Sequence, residues 1–136
     1  MNWLVLSIMT IVSWGFMGLI LKIASKYADW PQTYLIANGV VFAAAVLLYI
    51  THKPSIVVGS PGFNYALIAG FASSLANIGF YSALQGGKAI LVIPLTSLYP
   101  VITIVLSYLI LHEEITLTKG IGILLALLAI VLVSIE

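Results

Sequence analysis

The chain has 136 residues, of which 62% are hydrophobic and 7% charged. A soluble domain carries about 25% charged residues, and a fold this small leaves too much surface in water to hide so apolar a composition. The solvent for most of these side chains is therefore lipid. A net charge of +1, from Lys without Arg, supplies neither a basic face for nucleic acid nor a bidentate phosphate clamp. The absence of Cys excludes disulfides and thiolate chemistry. His52 and His112 lie apart, without metal-ligand spacing, so no metal or other cofactor is expected.

A spanning helix needs about 20 mainly apolar residues, and five segments qualify. The first runs from Trp3 to Leu21 and ends at the polar stretch Lys22–Asp29. It has no basic stretch before its apolar run, and that run is long for a signal peptide, so it is expected to be a retained helix. The second covers Thr33 to Ile50, with Pro31 near its first turn, where a proline costs no hydrogen bond. A loop, Ser55–Gly62, rich in Gly and Pro, follows.

The third segment runs from Phe63 to Gln85, and the pair Gly86-Gly87 suits a left-handed C-terminus. The fourth runs from Ile90 to Leu111 and is interrupted by Pro94 and Pro100, each of which removes a backbone hydrogen bond and can kink it. The fifth runs from Leu117 to Ile135, with Thr116 as N-cap. The expectation is an all-α membrane protein, one domain over residues 1–136, built as a bundle of five transmembrane helices joined by short connections.

Four helices carry polar or aromatic seams at helical spacing. These are Ser7, Thr10, Trp14 and Gly18 on the first, and Tyr34, Asn38 and Tyr49 on the second. The third carries Ser74, Asn77, Tyr81 and Gln85, and the fourth Thr96, Pro100, Thr103 and Ser107. The fifth is Leu, Ile, Val, Ala and Gly after its first turn, and Gly122, Ala126 and Ala129 suit tight helix packing. Two readings compete. The seams line a cavity, or they are interhelical hydrogen bonds worth roughly 0.6 kcal/mol each. For a lone Ser or Thr the second reading is the plainer one. For Asn77 and Gln85 the two weigh about equally, because an amide is costly to bury unpaired. Trp3 fits an interfacial belt, while Trp14 lies too deep for one. Lys22, near a helix end, reads as an interfacial anchor.

No acidic residue sits at membrane depth: Asp29, Glu113 and Glu114 lie at helix ends and Glu136 is terminal. This argues against carboxylate-driven proton coupling. The lack of a Ser/His or paired-carboxylate set at depth argues against an enzyme. Lys53 and Lys119 fall on the N-terminal side of the membrane and Lys22, Lys26 and Lys88 on the other. This near balance does not fix an orientation.

Several stretches together resemble an EamA domain of the drug/metabolite transporter superfamily. They are Gln85-Gly86-Gly87-Lys88-Ala89, then Pro94-Leu95-Thr96-Ser97-Leu98-Tyr99-Pro100, then Leu111-His112-Glu113-Glu114-Ile115-Thr116 with Gly120, and near the start Ser13-Trp14-Gly15 with Lys22. Two features depart from the family pattern. Asn38 stands where many members carry an Arg, and one repeat is present where most have two.

The resemblance implies two inverted five-helix halves holding substrate near the midplane, and an odd helix number does invert a second copy. A single half calls for a partner, so a homodimer is expected. The balanced lysines leave an antiparallel arrangement open, and pairing with another half-size chain is the alternative. Glu113 matches the family's loop glutamate. It is either a gate or a structural charge pairing with Lys53 and favouring the N-terminus of the last helix, and the structural role is preferred.

The function expected is transport of a small organic solute, neutral or zwitterionic, by alternating access. The candidate solute contacts are Trp14, Asn38, Asn77, Tyr81, Gln85, Thr96, Tyr99 and Thr103, with Pro94 and Pro100 as hinge. The expected partners are the bilayer, the solute and a second chain, and the expected location is a prokaryotic cell membrane, crossed several times. A small multidrug exporter is disfavoured because the first helix has no acidic residue. A non-transporting membrane subunit or scaffold remains the alternative from another class.

Overall fold

The computed structural model describes residues 2–135. Met1 and Glu136, the terminal acid named above, lie outside them. The helices are α1 (Trp3–Ala24), α2 (Trp30–His52), α3 (Pro61–Gly86), α4 (Ala89–Thr96), α5 (Tyr99–Ile110) and α6 (Leu117–Ser134). They form two compact units, one up to Gly86 and one from Gly87 onward.

Trp3–Ala24, Trp30–His52, Pro61–Gly86 and the α4–α5 span Ala89–Ile110 are each long and apolar enough to cross a bilayer. The apolar stretch of α6, Leu117–Val133, is shorter and sits at the low end of the spanning range of about 17–25 residues. Large apolar side chains point outward all along the spans: Phe42 is 71% exposed and Phe71 74%. Such a surface is stable only against lipid. The chain is an all-α integral membrane protein.

Local chemistry sets the helix ends. The Asn2 side chain accepts from the Leu4 N–H at the start of α1, and Asp29 accepts from the Gln32 N–H at the start of α2. Pro31 sits in the first turn of α2, where its missing N–H is harmless. The Ser60 hydroxyl accepts from the Phe63 N–H, so α3 starts at Pro61, inside the stretch expected to be loop. Thr116 accepts from the Lys119 N–H as the expected N-cap of α6.

One expectation is corrected and one is sharpened. The Gly86-Gly87 pair makes no left-handed turn: Gly59 is the glycine of positive φ among the described residues, and α2 instead ends on Lys53 at φ 43°, ψ 53°. The link from α3 to α4 has room for Gly87 and Lys88 alone, and a lysine satisfies a terminal carbonyl of α3 instead, as described below. The fourth span is two helices, broken at Ser97–Leu98. Pro94 is carried inside α4, whereas Pro100 occupies the first turn of α5.

In the first unit, α1 and α2 both pack on α3. The buried residues Gly18, Leu21, Thr33, Tyr81 and Leu84 gather where α1 and α3 end and α2 begins. In the second unit α6 packs on α4.

Candidate functional site: a polar ladder between α2 and α3

Three helix ends meet in the first unit. Each leaves backbone groups that its own helix cannot pair, and side chains from neighbouring helices take some of them. The Lys22 ammonium, in the last turn of α1, donates to the Leu84 carbonyl in the last turn of α3 at 2.7 Å. It sits at the negative end of both helix dipoles. The Gln85 side-chain oxygen accepts from the Trp30 N–H, the first of α2, at 2.9 Å. Lys22 is thus half-buried and tied to α3 at the helix end where an interfacial anchor is expected.

Replacing Lys22 by Met leaves the Leu84 carbonyl without this donor. The expected loss is about 1–3 kcal/mol of stability, read as a lower thermal midpoint in detergent and smaller for Lys22→Arg. The bond of Gln85 is more exposed, so Gln85→Leu costs less, about 0.5–1.5 kcal/mol.

From this end the facing residues of α2 and α3 step inward together. Trp30 meets Gln85, and one turn deeper the rings of Tyr34 and Tyr81 meet edge to face with centroids 5.5 Å apart. Because the helices run in opposite directions, the next turn sets Asn38 opposite Asn77, about 12 Å from the Gln85 rung at 1.5 Å per residue. Tyr81 is 8% exposed, while Tyr34, Asn38 and Asn77 are half-buried. On α1, Trp14 and buried Gly18 share the stripe that ends at Lys22. With Lys22 level with Leu84, and α1 parallel to α3, Trp14 stands near the level of Asn77. Its ring is 56% exposed.

The polar groups of this ladder differ in what they have left to offer. Asn38 donates from Nδ2 to the Tyr34 carbonyl at 2.9 Å, which leaves its side-chain oxygen open. The Asn77 side chain has no hydrogen-bond partner among the described residues. The ladder therefore offers amide donors and acceptors and phenol groups, without formal charge, about two turns in from one helix end.

The hydroxyl seams look different. Ser7, Thr10, Ser74, Thr96 and Thr103 each donate to the carbonyl four residues back on their own helix. They join no helices together, contrary to the plainer reading of them. A hydroxyl satisfied in this way can face lipid.

Of the candidates, Asn38, Asn77, Tyr81 and Gln85 lie along one seam of α2 and α3, with Trp14 near the level of Asn77. Thr96, Tyr99 and Thr103 belong to the second unit, where Tyr99 is 54% exposed. There Glu113 lines an open cavity of about 160 Å³ with Glu114, Ser107, Tyr108 and Lys119. Lys53 belongs to the first unit. The candidate set omitted Lys22, Trp30 and Tyr34. The signal was present, since 30, 34 and 38 on one helix and 77, 81 and 85 on the other share a spacing of four, which aligns once the helices are set antiparallel.

The EamA-like transporter family matches residues 1–135. The chain belongs to this family. It is also 31% identical over 133 residues to an uncharacterized protein of the archaeon Methanocaldococcus jannaschii, a match covering 98% of this chain and 96% of the relative. No solved structure matches the chain. The family's drug/metabolite transporter character fits a membrane protein that carries half-buried amides and a buried phenol between two of its spans.

Proposed function

We propose that this member of the EamA-like transporter family is one half of a transporter, moving a small organic solute by alternating access as a dimer of five-helix units. The observation that carries the reading is a family match over residues 1–135, which hold four long spans and the shorter apolar helix α6. Five spans cannot supply both halves of an inverted pair, and we assign the second half to another chain. The archaeal relative, of nearly the same length, supports a one-repeat unit that recurs.

In the first unit we assign solute contact to Trp14, Asn38, Asn77 and Tyr81. Uncharged amides and aromatic groups suit a neutral or zwitterionic solute. Gln85 is proposed as a contact only in addition to its bond to Trp30. Thr96, Tyr99 and Thr103 are proposed contacts of the fourth span, and the break before Pro100 is the bend that alternating access uses. A cell membrane of a prokaryote is the proposed location.

The test is solute flux into proteoliposomes, screened over amino acids, neutral metabolites and cationic drugs. Saturable uptake of at least one solute is expected. Its absence from all of them, in folded protein, supports the scaffold alternative. A C-terminal topology reporter tests the arrangement independently. Two oppositely oriented populations are expected, and one uniform population removes the antiparallel homodimer.

A further inference from the structure

The break in the fourth span exposes backbone that a continuous helix would hide. Pro100 has no N–H to give to the Thr96 carbonyl four residues back or to the Ser97 carbonyl three residues back. The Val101 N–H, the remaining helical donor for Ser97, bonds the Leu98 carbonyl instead, at 3.0 Å. Meanwhile the two hydroxyls at the break have spent their protons. Thr96 donates to the Val92 and Ile93 carbonyls at 2.8 and 3.0 Å, and Ser97 donates to Ile93 at 2.8 Å. The backbone carbonyls and side-chain oxygens of Thr96 and Ser97 are thus left as acceptors.

The position makes this costly. Ser97 lies eight residues past the start of the Ala89–Ile110 span, about 12 Å inward at 1.5 Å per residue, against a hydrocarbon core about 30 Å thick. Irregular backbone at that depth is tolerated where it is buried in protein or lines a water-filled cavity, not where it faces lipid, and Thr96 and Ser97 are exposed rather than buried. The C-terminal end of α4 adds partial negative charge at the same point. The break holds no carboxylate, which a divalent ion would demand, and its hydroxyl donors are already used, which disfavours an anion.

We propose that the α4–α5 break binds a monovalent cationic group through the oxygens of Thr96 and Ser97. The group is either an alkali ion that couples to transport or the ammonium of a solute. The site rests on the transporter reading for its role and on the backbone for its chemistry.

The experiment is thermal unfolding of the purified full-length protein in detergent. NaCl, KCl or methylammonium chloride is titrated, with total chloride held constant by tetramethylammonium chloride, which has no N–H to donate and a charge shielded by four methyl groups. A saturable rise in melting temperature is expected with at least one of the three. Its midpoint is expected to move at least tenfold in Pro100→Ala, which returns an N–H to the Thr96 carbonyl, and in Thr96→Val, which removes one oxygen and leaves the break in place. If Pro100→Ala does not fold, Thr96→Val decides.

A response to Na⁺ or K⁺ assigns a coupling ion, and a response to methylammonium alone assigns a solute ammonium. No saturable rise above tetramethylammonium, or unchanged midpoints in the folded variants, overturns the proposal. The readout needs no flux. Binding in a protein that moves no solute leaves the site standing and removes the transport reading, and flux without binding does the reverse.

Discussion

Replacing Asn77 by leucine is expected to cut solute flux at least tenfold while leaving helical content and thermal stability unchanged. The side-chain amide is half-buried and has no hydrogen-bond partner among the described residues. A polar group held unpaired in an apolar setting stabilises nothing, and its removal costs no bond. Leucine, similar in size and better solvated by hydrocarbon, should be tolerated or even raise the melting temperature. A solute that relied on the amide would lose a desolvated hydrogen bond worth about 1–2 kcal/mol, and a site built to pair such groups rejects the mismatch strongly.

The neighbouring rungs behave differently under the same change. Gln85→Leu frees the Trp30 N–H and lowers stability, so any loss of flux there has two causes. Asn38→Leu removes a bond to the residue's own helix, with a smaller effect on stability. Measured together, flux and melting temperature separate these cases. Flux through Asn77→Leu at the level of the unaltered protein would remove this residue from the solute path.

The spans were legible because they depend on one property, apolar length, which composition reports directly. Break points were harder. Pro94 and Pro100 looked alike in the sequence, yet α4 absorbs one and ends before the other. Pro100 falls where the carbonyls of both Thr96 and Ser97 needed it, and that depends on how the next turn winds. The seams were visible as spacing, but spacing cannot tell a hydroxyl bonded to its own helix from one facing a neighbour. The i−4 carbonyl is always within reach, so the local bond wins for Ser74, Thr96 and Thr103. Amides at Asn77 and Gln85 carry donors and acceptors that a single local bond does not exhaust. The role of Lys22 was hidden because its partner is a backbone carbonyl 62 positions away, which no side-chain pattern announces.

Fixing the orientation of the chain by charge is expected to abolish transport, and mixing two oppositely fixed forms to restore it. In an alternating five-span topology Lys53 and Lys119 oppose Lys22, Lys26 and Lys88, and such a balance permits insertion either way up. Lys53→Gln with Lys119→Gln leaves all remaining lysines on one side, which directs that side to the cytoplasm. The opposite bias comes from Lys26→Gln and Lys88→Gln with Ser55→Lys added to the loop after α2. Lys22 is kept because its ammonium holds the Leu84 carbonyl. None of these substitutions touches the α2–α3 ladder, so each variant should fold and show a single orientation by C-terminal reporter. If the working unit is an antiparallel pair, each variant alone has no partner of the other hand, and flux falls at least tenfold. Co-expression supplies both hands and returns flux towards the unaltered level. A uniformly oriented variant that transports normally by itself would instead mean a parallel pair, in which the two halves are not inverted.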